Sequence, residues 1–573
     1  MRTQITLLKS RMEKLFWKIA EEKEQITVDG VPGYNERAQF TNGKVINLCS
    51  YVAAEMLMGT AQEEKGLQAL REILSLTARM KMETWGSLNA IEGIWRLKQH
   101  GLLEAAADAE TLAILKKALD WRAFVDERKH FALIDKPTNY YGVAFGIARY
   151  RELLGWEEEK YSPILLDILM DHISRYSGAY GFMDETPGAG RFDRYSILIP
   201  AEITALVLDT GWREPALIRT MLGKSARIAL QLANREGTGF SYGRSIGAYG
   251  ETAALQILST AAALGGIFSG EEERLAYAYC RSILRCMNEF WYDEGMQSVN
   301  LWEKGRKTDG YRNKNRILGE NLSLSMQMIG AYEQWRGRGL IPEDDPEQGD
   351  AWTAPLPMCS MTAFGDAPLP RRLAVVRDGD TVWQLPVISG GEAYLDRDPY
   401  LPVPRANLVL EAVPDAVHGA WVPCLEMKDG ALLLPAGYMD SVSMEAAGEE
   451  CRITLRQQGF VQAEKRPVEL LPGAEIITVY HFSRGCVGRE DEIRLTPALR
   501  ERASCLRLVC DVMKGNVRAE GYDTEEHISY AQARAAGICL DTPHGPCRET
   551  VRYERRALPE DGVLRVSWQW RGK

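Results

Sequence analysis

From Met1 to about Trp335 apolar residues recur at helical spacing, in segments of two kinds. One kind is amphipathic with strongly charged faces: EEKGLQALREILSLTARM from Glu63, ETLAILKKALDWRAF from Glu110, EEEKYSPILLDILMDHISRY from Glu157, PALIRTMLGKSARIALQLAN from Pro215 and EEERLAYAYCRSILRCMNEF from Glu271. The other kind is apolar on nearly every side, as in SILIPAEITALVL, and a helix of that composition belongs in an interior. Interior helices are expected to start near Cys49, Trp85, Tyr140, Tyr195, Ser245 and Ile317. Inner and outer segments therefore alternate about six times, at a spacing of roughly 35 to 70 residues, longer than most helical repeats. The pattern predicts an (α/α)6 toroid. In MRTQITLLKSRMEKLFWKIAEEKEQ, Leu7, Leu8, Met12, Leu15, Phe16 and Ile19 form one face of a helix.

After Trp335 the period changes. GRGLIPEDDPEQGDAWTAP is a polar connector, and beyond it come short alternating runs: RRLAVVRDG, DTVWQLPVIS, NLVLEAVP, CRITLRQQG, EIITVYHFSRG, LRLVCDV and GVLRVSWQW. Asp-Gly turns at Asp378-Gly379, Asp429-Gly430 and Asp561-Gly562 punctuate them. The expected organisation is α+β and multidomain: a toroid over 1–335, a linker over 336–354 and an antiparallel β-sandwich over 355–573.

In such a toroid the outer helix returns the chain, so every inner helix starts at the same end of the barrel. Four inner segments have polar, Arg- and Tyr-bearing heads: PTNYYGVAFGIARY, RFDRYSILIPAEITAL, YGRSIGAYGETAALQIL and YRNKNRILGENLSLSMQMI. Those heads should gather where the interior opens to solvent, which makes that mouth the candidate active site.

Arg244 follows a Gly-flanked turn and precedes a helix, where a guanidinium can clamp a carboxylate or brace neighbouring loops. Arg194 and Arg316 carry the same alternatives, Arg316 with Glu320 four residues on as a local partner. Tyr249 and Glu251 fall in the first turns of an interior helix, and a desolvated glutamate suits a general acid; the other reading pairs Glu251 with Arg244. Glu320 is a further acid candidate or a helix-start residue, and Asp184 a second acid or a solvated loop residue. Asn139 and Tyr140 open another inner helix as cap and sugar platform, or as ordinary packing, and Tyr195 is a candidate substrate contact or base.

The net charge of -10 argues against binding a polyanion such as nucleic acid. No apolar run is long enough to span a bilayer, and the N-terminus lacks a secretory h-region, so a cytoplasmic location is expected. The 11 cysteines are scattered without a CxxC pair and read as reduced thiols. With no HxH, HExxH, Walker or Rossmann signature, neither metal nor cofactor is expected.

A helical toroid followed by a sandwich resembles heparinase-like and alginate-type polysaccharide lyases and related glycoside hydrolases. The phrases GFMDE, RFDRYS, FSYGRSIGAYGETA and TDGYRNKNRILGENLSL are similar to the bacterial heparinase-like group that includes the β-glucuronidases of glycoside hydrolase family 154. That resemblance covers about a third of the chain and implies a uronate-bearing oligosaccharide as partner, besides any second copy of the chain. Three functions are weighed. A hydrolase removing a terminal β-glucuronate would use Glu251 as acid with Asp184 or Glu320 as partner, while Arg244, Arg194 and Tyr249 hold the sugar. A lyase would use Asn139 and Arg244 to neutralise the uronate carboxylate and Tyr195 or Tyr249 as base. A non-catalytic sugar-binding protein would use the same cavity.

Overall fold

The computed structural model describes residues 1–177, 179–183, 192–243, 245–305, 313–339, 356–389, 400–406, 421–462, 468–510, 512, 515–529, 531–532, 541–542, 545–546 and 550–572. Its first part is helical: α1 (Arg2–Glu22), α2 (Gln39–Tyr51), α3 (Glu63–Ala78), α4 (Trp85–Gln99), the single turn α5 (Leu103–Ala106), α6 (Ala109–Ala118), α7 (Tyr140–Leu153), α8 (Ser162–Ser177), α9 (Arg194–Asp209), α10 (Ala216–Gln231), α11 (Ala248–Leu264), α12 (Gly270–Cys286) and α13 (Ile317–Gly337).

Helices α2, α4, α7, α9, α11 and α13 form the inner ring. Each packs on the next: α2 on α4, α4 on α7, α9 on α11, α11 on α13, and α13 back on α2. Between α7 and α9 the contact runs through Gly146, where a Cβ would stand 3.1 Å from Leu206, and past Gly142, which faces Ile203. The outer helices lie against them, and α1 covers the closure, packing on α12, α13 and α3.

Glycines let the inner backbones touch. A Cβ at Gly43 would stand 1.8 Å from the carbonyl oxygen of Gly86, and one at Gly93 would stand 2.9 Å from the Cα of Asn47. Only hydrogen fits there.

Two details depart from the sequence expectation. The first inner helix begins at Gln39, ten residues before Cys49, and buries Asn42, Lys44, Asn47 and Ser50. Its polar face looks like surface in sequence, and the apolar run from Leu48 is only its second half, continuing into the π-helical turn Val52–Leu57. On α1 the buried stripe is Ile5, Leu8, Met12, Phe16 and Ile19, while Leu7 is 41% exposed.

The C-terminal part is a multi-sheet β region. The meander Cys359–Gly365, Arg371–Asp378 and Thr381–Ile388 turns at Gly379, where a φ of 58° suits glycine. A six-stranded antiparallel sheet is built around Ala474–Ser483 and Cys486–Leu495, and a seven-stranded one around Ala503–Cys510 and Thr550–Ala557. Leu425, Phe460 and Leu506 from the larger sheet share a core with Ile476, Ile493 and Leu564 from the smaller. The run NLVLEAVP and most of the connector lie outside the described residues.

The meander is fastened to the helical part. Arg377 donates to the carbonyls of Gln231 and Ala233, both at 2.8 Å, at the end of α10. Gln384 donates to the Gly239 carbonyl at 2.9 Å and accepts from the Ser241 amide at 3.2 Å, so both its amide atoms are spent on the segment leading to α11. Among the described residues no helix is long and apolar enough to cross a membrane.

Candidate active site

A cavity of about 1070 Å³ runs down the toroid axis. Its mouth is ringed by the first residues of the inner helices: Phe40, Trp85, Asn139, Tyr140, Arg194, Tyr195, Tyr249 and Arg316. The architecture accounts for this, because all six inner helices point their N-termini the same way.

The α9 entrance is set by Asp193, whose carboxylate caps the helix by accepting from the Tyr195 amide at 2.9 Å and takes a second hydrogen bond from the Tyr400 hydroxyl at 3.2 Å. Tyr242 donates to the Phe192 carbonyl at 3.1 Å, and a Cβ at Gly243 would stand 2.6 Å from the Asp193 Cβ. These contacts lock the α9 entrance to the turn before α11. Ser245 in that turn has a φ of 51°, a conformation that costs a non-glycine residue about 1–3 kcal/mol. It is held by the Arg194 Nε, which donates to the Ser245 carbonyl at 2.6 Å, and by the Tyr195 hydroxyl, which donates to Ser245 Oγ at 3.2 Å.

Arg194 lies 4.1 Å from the Tyr195 ring centroid and 5.4 Å from that of Tyr249. Arg316 stacks 3.8 Å over Phe40 and pairs with Glu320 at 3.2 Å. Tyr249 donates to the other oxygen of Glu320. Fully buried, Glu320 is thus a clamp between α11 and α13, and neither caps the helix nor lines the cavity.

Asn139 stands at the N-cap of α7, yet its side chain makes no capping bond, and its Oδ1 has no protein partner although the residue is 7% exposed. Tyr140 stacks on Phe124 with centroids 6.0 Å apart, and its hydroxyl is held from ionising by burial despite a hydrogen bond with Thr84 and the nearby Arg316. Trp85 tilts against the same ring at 6.4 Å.

Glu251 is not on the wall. It lies two positions after Tyr249, about 200° around a helix, so when Tyr249 faces the axis Glu251 faces outward. There it accepts from the Trp291 indole and is 1% exposed, and burial pushes its pKa up to about 8 against the lowering effect of Trp291 and Cys286. Asp184 and Arg244 lie outside the described residues.

Two acids that the sequence reading passed over do face the cavity. Glu92 is raised to about 7 by burial and by Asp209, against Arg96 and a hydrogen bond from Asn47 at 3.1 Å. Glu202 is raised to about 7 by burial, with Arg194 opposing. A signal for Glu202 was present: it is the lone acid in the apolar run SILIPAEITALVL, seven residues after Tyr195 and so on the same face. Among the described residues no group of three His, Cys, Asp or Glu could hold a metal.

No family model and no curated protein matches the chain. Among solved structures, it is similar to the Streptomyces coelicolor A3 chondroitin AC lyase in complex with chondroitin sulphate, at 12% identity and a TM-score of 0.49 over 100% of this chain and 79% of that one. A Paenibacillus xanthan lyase gives 8% identity and 0.48 over 100% of this chain and 57% of that one. A heparan sulfate lyase from Pedobacter heparinus gives 10% identity and 0.31 over 98% and 83%.

Proposed function

We propose that the chain is a lyase that cleaves an oligosaccharide beside a uronate by β-elimination, at the cavity mouth. The observation that carries this reading is the grouping of Tyr195, Arg194 and Asn139 at the cavity mouth, where the Asn139 side chain makes no capping bond, while Glu251 and Glu320 are committed elsewhere. The helical part, residues 1–335, does the chemistry, and the β region from 355 braces it.

Elimination needs the uronate carboxylate neutralised so that the C5 hydrogen becomes acidic. Asn139 donates its amide hydrogens to that carboxylate, a task in which the sequence also makes Arg244 a candidate. Tyr195, as phenolate, takes the C5 proton, and the Arg194 guanidinium beside the ring offsets the charge the phenolate carries. The C4–C5 double bond forms, the C4–O bond breaks, and Tyr195 returns the proton to the leaving oxygen. Trp85, Tyr140 and Phe40 supply flat walls for the sugar rings.

The test is incubation with a uronate-containing oligosaccharide, read by ultraviolet absorbance of an unsaturated uronate. Tyr195→Phe should lower that rate by about two orders of magnitude or more while leaving binding in place. Unchanged turnover in a folded Tyr195→Phe protein would refute the assignment.

One observation favours a second reading. Glu92 and Glu202, both held near neutrality in the cavity, suit a hydrolase acting on a terminal β-glucuronate of the family 154 kind. Its product is a saturated uronic acid, and it is Glu202→Gln rather than Tyr195→Phe that would abolish it.

A further inference from the structure

Two turns below the mouth the cavity wall changes character. Asn47, Glu92, Glu202, Gln256 and Ser323 each follow the mouth residue of their own helix, Phe40, Trp85, Tyr195, Tyr249 and Arg316, by seven positions. Seven residues rise about 10 Å along a helix, so five of the six inner helices place a polar side chain in one layer.

Several acceptors in this layer lack partners. Asn47 is 1% exposed, and its Oδ1 has no protein partner, because its Nδ2 is turned to Glu92 at 3.1 Å and Asn89 at 3.4 Å. Gln256 Oε1 and, one turn deeper, Gln327 Oε1 are likewise unpartnered acceptors. Among the described residues no hydrogen bond reaches the Glu202 carboxyl. Of the cations that line the cavity near this layer, Arg96 is engaged by Glu92 at 3.5 Å and Glu55 at 3.9 Å, and the Arg194 Nε is spent on the Ser245 carbonyl. Acceptors from several directions, two of them carboxyls, match a group with three donors and a positive charge. A sugar hydroxyl brings one donor and no charge.

We infer that this layer is a second subsite, for a sugar carrying a free protonated amine. Its place next to a uronate rests on the elimination reading; its preference for an amine does not. An arriving ammonium would ionise Glu202 and Glu92, so binding near pH 7 should release protons.

Calorimetric titration of the full chain with D-glucosamine, D-glucose and N-acetyl-D-glucosamine tests this without turnover. Glucosamine should bind about tenfold or more tighter than the other two, with a heat that varies with the ionisation enthalpy of the buffer. Glu202→Gln should weaken it about tenfold or more, as should Gln256→Leu if the first variant fails to fold, while Tyr195→Phe should not. Equal affinity for the three sugars, or full glucosamine affinity in a folded Glu202→Gln protein, would overturn the subsite. Amine-selective binding without any unsaturated product would remove the lyase reading and leave the subsite standing; unsaturated product without amine selectivity would do the reverse.

Discussion

Glu251 shows how much a two-residue offset decides. Its raised pKa invites a catalytic role, yet its partners are Trp291 and Cys286 and the wall is built by Tyr249. Glu251→Gln should therefore leave turnover within about twofold of wild type. Its effect lies in stability: the carboxyl is raised from 4.5 to about 8, so the folded state keeps a proton that the unfolded chain sheds above pH 4.5. That stabilisation is complete below 4.5 and is lost as pH rises through 8, each unit being worth at most about 1.4 kcal/mol. Melting temperatures of wild type and Glu251→Gln, compared from pH 5 to 8, should diverge in favour of the variant. The same offset was legible in sequence, because Tyr249 and Glu251 cannot share a helix face. Arg194, Tyr195, Asn139, Tyr140 and Arg316 were readable for the converse reason, since each sits at a helix head and the ring carries heads to the mouth. Glu92 and Glu202 lie two turns in, away from the polar helix heads that mark the mouth.

At the scale of elements, the inner helices are spaced by what their glycines lack. Gly43→Ala would push a methyl into the Gly86 backbone, which cannot swing aside as a side chain can. The expected cost is about 3 kcal/mol or more, seen as a lower melting temperature, and activity should fall further as α2 carries Phe40 and Asn47 away from the axis. A melting temperature within a degree or two of wild type would mean that α2 and α4 can part without loss. Helix heads were legible wherever apolar and polar blocks meet sharply, as at Trp85, Tyr140 and Arg194. The start of α2 was not, because Gln39–Lys44 is polar and becomes interior only when a neighbouring backbone closes over it. Strands such as Arg371–Asp378 and Ala474–Ser483 announced themselves by alternation and flanking turns. Their grouping into three larger sheets depends on pairings between distant residues that no local pattern encodes.

For the whole molecule, the meander matters through one amide. Gln384 satisfies both the Gly239 carbonyl and the Ser241 amide just before the turn that carries Ser245. Gln384→Leu strands two buried backbone groups, a loss of about 1–3 kcal/mol each. Turnover should drop about tenfold, and amide exchange should quicken in 239–245 before it does in α9 or α11. Uniformly faster exchange would mean that the β region stabilises everything alike. The ring itself has a seam, where α13 meets α2 and Lys44 reaches the Gly319 carbonyl at 3.4 Å across 275 residues of sequence. During synthesis α2 leaves the ribosome early and must wait for α13, which at about 5–20 residues per second arrives some tens of seconds later. The nascent chain is thus an open arc with a sticky edge, and a chaperone that shields α2 over that interval would govern yield without altering the finished protein.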